Sequence, residues 1–185
     1  MRTIDMPARL LLLSLALLLS ACVTNRSLES GVADTSLDLA LKDALFRDTN
    51  YDTSDIDITI FERRVLLSGT ARSVDARRDL SMKARSMAGV DEVINEVVVG
   101  PRTAFGQGTK DALIDQKFGW ALKADNGIYR DNYQFSVSNG VIYLLGVAQG
   151  PAELDRVLGQ ARVIDGVKDI VPHVVFVADP RRSKT

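Results

Sequence analysis

Shifted by 77 residues, the chain falls on itself: Asp34 to Val99 lies over Asp111 to Phe176 with no gap. Asp38 meets Asp115, Ala44 meets Ala121 and Leu45 meets Leu122. Leu67, Gly69 and Ala71 meet Leu144, Gly146 and Ala148. Further on, Ala84-Arg85 meets Ala161-Arg162, Gly89-Val90 meets Gly166-Val167, and Val97-Val98 meets Val174-Val175. Apolar character is kept where the residue changes, as at Ile58 and Phe135, Ile60 and Val137, Val65 and Ile142. A repeat of this kind makes each copy one structural unit, so the chain folds as a tandem duplication. A copy of about 65 residues is marginally stable alone, so the copies pack on each other or on a partner.

Each copy carries the same pattern. Leu37, Leu41, Ala44 and Leu45, like Ile114, Phe118, Ala121 and Leu122, sit at i, i+4, i+7 and i+8. That spacing predicts a helix near 36–47 and near 112–124. Asp55 to Ile60 and Tyr133 to Val137 alternate polar with apolar, which predicts strands with one buried face. Asn139-Gly140 is a hairpin turn, since both residues tolerate positive φ. Arg63-Arg64, taken as its counterpart, does not, so that turn differs or is strained. Strands 65–71 and 141–148 follow, then helices 74–88 and 151–164, with Gly89 and Gly166 as their C′ residues. Strands 93–99 and 169–177 close the copies. The expected fold class is α+β: two αββαβ domains, each with two helices on a three-stranded mixed sheet.

Ahead of the repeat stands a leader. Arg2 and Arg9 precede the apolar run Leu10 to Leu19, which is too short to span a bilayer but suits a signal peptide. Leu19-Ser20-Ala21-Cys22 resembles the lipobox of bacterial lipoprotein precursors. The resemblance implies a diacylglyceryl group on the Cys22 thiol, cleavage before Cys22, and acylation of the new amine, as with palmitate. Cys22 is the sole cysteine, so no intramolecular disulfide forms. Two or three acyl chains, at about 0.8 kcal/mol per buried methylene, anchor a protein stably. Val23 stands where Asp would retain a lipoprotein in the inner membrane, which places the chain on the outer membrane, facing the periplasm.

The parts expected are a signal peptide 1–21, a lipidated tether 22–33, a first domain 34–100, a linker 101–110, a second domain 111–178 and a frayed tail 179–185. The net charge is −1, and loss of Arg2, Arg9 and Asp5 leaves −2, so no global field draws nucleic acid.

The αββαβ order resembles the BON domain. So do Val65-Leu66-Leu67-Ser68-Gly69 with Gly89-Val90, Val93 and Val97, and Ile142-Tyr143-Leu144-Leu145-Gly146 with Gly166-Val167, Ile170 and Val174. A lipobox followed by two such domains is similar to the dual BON-domain outer-membrane lipoproteins, the family of division- and outer-membrane-stress-associated lipid-binding proteins. The resemblance implies a non-catalytic protein that binds anionic phospholipid through its second BON domain, chiefly the first helix, and supports outer-membrane integrity and cell division. The alternative is an adaptor for a division or outer-membrane-assembly partner.

Divergence between the copies points to the same helix independently. Leu113 and Trp120 lie seven residues apart, off the core stripe, where the first copy has Ser36 and Asp43. Lys117 and Lys123 flank them and Lys110 precedes them. Charges over 110–124 sum to +1 (three Lys, two Asp), and over 33–47 to −1 (Lys42 and Arg47 against three Asp). A Trp with nearby lysines suits the headgroup region of a bilayer. Three uses remain open for Leu113 and Trp120: docking on lipid, packing against the first domain or the linker near Phe105, and meeting a protein partner.

Other candidates lead elsewhere. His173, the only histidine, aligns with Glu96 and has no second histidine or cysteine to make a metal site or a triad, so no metal and no cofactor are expected. The aspartate pairs Asp34/Asp38 and Asp111/Asp115 read as helix-start residues. Arg72, Arg77, Arg78, Lys83 and Arg85 are interspersed with acids and read as a solvated helix face. No catalytic constellation is present.

Overall fold

The computed structural model describes residues 28–47 and 51–182, with the side chains of residues 28–30 and 46 left aside. The signal peptide, Cys22 and the first part of the tether lie outside them. The first copy runs α1 (Leu28–Phe46), β1 (Ile56–Phe61), β2 (Arg64–Ala71), α2 (Val74–Ser86), β3 (Glu92–Asn95) and β4 (Val98–Val99). The second runs α3 (Gln107–Ala124), a 3-10 turn (Arg130–Asn132), β5 (Tyr133–Ser138), β6 (Val141–Ala148), α4 (Pro151–Arg162) and β7 (Asp169–Phe176). None of the described helices is long and apolar enough to cross a membrane.

In each copy the first two strands pair antiparallel and the last strand joins the central one in parallel, which makes the mixed sheets expected. Leu37, Leu41 and Leu45 meet Val65, Leu67, Leu80 and Ala84 in one core. Ile114, Phe118 and Leu122 meet Ile142, Leu144, Val157 and Ala161 in the other. Ala44, placed on the core stripe by its spacing, is exposed, and the stripe runs i, i+4, i+8 instead.

Both first helices begin earlier than their apolar spacing predicts, at Leu28 and Gln107, so they take in the ends of the segments read as tether and linker. Periodicity marks only the turns that touch the core, and these opening turns do not. Gly89 and Gly166 are not C′ residues. The helices end at Ser86 and Arg162, and each glycine takes a positive φ in the turn beyond.

The last strand of the first copy breaks between Asn95 and Val98. Asn95 Oδ1 accepts from Val97 N at 3.1 Å, while its Nδ2 donates to Arg77 O and Ser81 Oγ. This side chain takes a backbone donor from the ladder. Its counterpart is Pro172, which has no such side chain, and β7 runs unbroken.

The hairpin turns show the chief correction. The true counterpart of Asn139-Gly140 is Glu62-Arg63, with φ of 49° and 60° against 54° and 83°. Each turn is held from the helix. Asp34 carboxylate accepts from Glu62 N (2.7 Å) and Arg63 N (2.9 Å), and Asp111 accepts from Asn139 N and Gly140 N (both 2.8 Å). These two aspartates, taken as helix-start residues, are buried turn clamps. A left-handed Arg63 costs about 1 kcal/mol, whereas its half-exposed pair with Asp91 returns at most about 1 kcal/mol. Arg63→Gly keeps the N–H and is expected to stabilise the chain by about 0.5 kcal/mol, visible as a small rise in melting temperature.

The copies pack sheet against sheet, giving four layers: helices, sheet, sheet, helices. Phe61 and Leu66 of one sheet and Tyr143, Leu145, Val147 and Val175 of the other form a third core. β2 is therefore buried along its whole length, on both faces. Ser68 Oγ and Ser136 Oγ meet at 2.7 Å within this interface, which satisfies two buried hydroxyls. The tail is tied down as far as Arg182. Its guanidinium grips the buried Glu62 carboxylate in two hydrogen bonds of 3.0 and 2.6 Å, so residues 179–182 are not the frayed end expected. Residues 183–185 lie outside those described.

Candidate membrane-docking site

The exposed residues of α3 follow from how the helix is held. Ile114, Phe118 and Leu122 are buried against the sheet, with the Phe118 and Phe135 rings edge-to-face at 4.8 Å. Burial of that stripe turns Leu113 and Trp120 outward, and they are 52% and 65% exposed. Neither packs into the first domain, and Phe105, at the start of the helix, is fully exposed. Of the three uses open to this stripe, packing against the first domain or the linker is not seen among the described residues. Lys123 Nζ lies 5.8 Å from the Trp120 ring centroid, where the cation meets the π face. Lys110 and Lys117 are exposed, and neither forms an ion pair among the described residues. All five residues singled out from the sequence lie on this helix, clear of the core.

The first copy lacks this surface. Ser36 and Asp43 stand at the positions of Leu113 and Trp120, and both are exposed. It shows a different pair, Val32 and Leu39, 71% and 66% exposed on α1, which sequence reasoning missed. Their i, i+7 spacing was the available signal.

His173 is an interdomain residue. Its Nε2 lies 2.9 Å from Glu96 Oε1, and its backbone oxygen accepts from Arg64 Nη1 at 3.1 Å. Among the described residues no cluster of His, Cys, Asp or Glu is arranged to hold a metal. The basic cluster at and just before α2 is partly paired, Arg72 with Asp55 and Arg78 with Asp75.

Fold and surface define a tandem-duplicated α+β protein built twice on the αββαβ unit, with its distinctive exposed helix in the second copy. The BON domain model matches residues 33–101 and 110–178, and the chain belongs to that family. It is 34% identical over 122 residues to an uncharacterized protein in the gshII 5′ region of Anaplasma centrale, covering 65% of this chain and 81% of that one. It is 26% identical to the outer membrane lipoprotein DolP of Haemophilus influenzae, covering 79% and 76% of the two chains. It is also 26% identical to a 21 kDa hemolysin of Actinobacillus pleuropneumoniae, covering 84% and 80%.

Proposed function

We propose that this chain is a lipoprotein anchored through Cys22 to the outer membrane, facing the periplasm. In this reading it binds anionic phospholipid through α3 of its second BON domain and supports envelope integrity and cell division. The observation that carries the reading is the exposed Leu113–Trp120 stripe, rimmed by Lys110, Lys117 and Lys123, on only one of two duplicated helices. The similarity to a protein named as an outer membrane lipoprotein supports the location. Each lysine near an anionic surface contributes about 1 kcal/mol, and an anchored domain needs only weak contacts because its effective concentration at the bilayer is high. The function is binding, and no residue is assigned chemistry.

The test follows Trp120 fluorescence as vesicles are added to residues 27–185, which contain all three cores. It is the only tryptophan. The expected result is a blue shift with phosphatidylglycerol or cardiolipin vesicles and little with phosphatidylcholine. No shift at high anionic lipid would remove the lipid reading and leave the adaptor. The anchor is tested separately. Cys22→Ser is expected to abolish incorporation of labelled palmitate and to move the protein from the membrane to the soluble fraction. Continued labelling would end the lipobox assignment.

A further inference from the structure

The exposed stripe of α3 has an apolar neighbour on the next helix. α4 runs back along α3. Arg156 Nη2 and Gln160 Nε2 donate to the carboxylate of Asp125, the C-cap of α3, at 2.8 and 3.0 Å. At the other end Gly166 sits against Ile114, where an added Cβ would come within 3.4 Å of the Ile114 Cδ1. Val163, the C-cap of α4, lies between these two points. It stands seven residues beyond Arg156 and three beyond Gln160, on the stripe of α4 that faces α3. It is 77% exposed.

The matching stripe of α3 is Lys110, Leu113, Lys117 and Trp120, at i, i+3, i+7 and i+10. The first copy shows which way it points. There Ala33, Ser36 and Ala40, the counterparts of Lys110, Leu113 and Lys117, line a groove of about 240 Å³ together with Ala88 and Gly89. Ala88-Gly89 is the counterpart of Asp165-Gly166, in the turn just after Val163. Leu113, Trp120 and Val163 therefore converge on one outer face that crosses two helices. The first copy is polar at all three positions, with Ser36, Asp43 and Ser86, each exposed. Lys110, Lys117, Lys123 and Arg162 surround the face, all exposed and none in an ion pair among the described residues. α4 and its following turn add the exposed acids Asp155 and Asp165, so four cations stand against two acids.

We propose that the membrane-docking surface spans both helices of the second domain, with Val163 entering an anionic bilayer beside Leu113 and Trp120. This rests on the lipid reading of α3 and adds the orientation that α3 alone leaves open. A single stripe lets a docked helix roll about its axis. A third apolar group on the neighbouring helix removes that freedom and lays the two-helix layer flat on the bilayer. Apolar groups ringed by cations match phosphate headgroups above hydrocarbon, which makes an anionic bilayer the occupant. Val163 became apolar at the same place in the fold where Ser36 and Asp43 gave way to Leu113 and Trp120.

The experiment uses residues 27–185, which contain all three cores and lack Cys22, the sole cysteine, so an introduced cysteine takes a single label. Val163→Cys and, as its counterpart in the first copy, Ser86→Cys each carry a nitrobenzoxadiazole fluorophore. Phosphatidylglycerol vesicles are expected to shift the label at 163 to the blue, together with Trp120 of the unlabelled chain, and to leave the label at 86 unchanged. Val163→Ser should weaken vesicle binding about tenfold without lowering the melting temperature, since the side chain is exposed. Met82→Ser, at an exposed apolar residue of α2 in the other outer layer, should bind like the parent. A shift of Trp120 with no shift at 163 would overturn the two-helix surface and leave docking by α3 standing. No shift at either would remove both. A shift at 163 that grows with protein concentration in the absence of vesicles would mean that a second copy covers the face, and would overturn the proposal. So would an equal shift on phosphatidylcholine, or binding unchanged in Val163→Ser.

Discussion

Trp120→Glu is expected to weaken binding to anionic vesicles by roughly 100-fold while leaving the fold as stable as before. Moving a large apolar side chain from water into an apolar surrounding contributes about 1.5–3 kcal/mol, and a negative charge near the lipid surface costs about 1 kcal/mol more. About 3 kcal/mol corresponds to two powers of ten in affinity. Trp120 is 65% exposed in the free protein, so its loss strikes no core, and stability should change by no more than about 0.5 kcal/mol. Vesicle co-sedimentation and thermal melting measure the two quantities on the same sample. Lys117→Glu serves as the electrostatic companion. Its effect should shrink as salt rises, because exposed charges are screened. Unchanged binding by Trp120→Glu would remove α3 as the docking helix.

The second large effect is expected at Leu145, where Asp should separate the two domains. Leu145 has no solvent exposure, and it belongs to the core between the sheets rather than to either helix–sheet core. A carboxylate there lies among Phe61, Leu66, Tyr143 and Val175, beside a His173 already engaged by Glu96, and a buried charge without a partner of its own is not tolerated. Leu145→Ala removes the same contact without a charge and should cost about 2–5 kcal/mol. Scanning calorimetry is expected to show one transition for the parent chain and two, at lower temperature, for Leu145→Asp. The particle should also expand in solution scattering. A single transition at the parent temperature would mean that this interface does not hold the domains together.

These variants act on features that were visible in the sequence to different degrees. The αββαβ order and the stripes of α1 and α3 were legible because hydrophobic periodicity reports directly which face of a helix or strand is buried. The outward position of Trp120 was legible for the same reason. It lies off the stripe of Ile114 and Phe118, and its counterpart is Asp43. The duplication sharpened this reading, since shared positions mark the core and divergent ones mark the surface.

The tertiary structure decided what depends on contacts between distant residues. The alternation in β1 and β5 indicated one buried face, but it could not show that the second sheet covers the other. Asp34 and Asp111 looked like helix-start residues because their actual partners, the turn amides, lie 28–29 residues away. Arg182 seemed a loose tail residue until the fold brought Glu62 beside it. The alignment of His173 with Glu96 was a register match between copies, and only the packing of the sheets made it a hydrogen bond. Periodicity is a local property of the chain, whereas pairing across an interface depends on how two finished surfaces meet. By itself, then, the sequence determined the repeat unit, its cores and its exposed helix. The clamps arose only when each copy folded, and the joined sheets only when the two copies packed together.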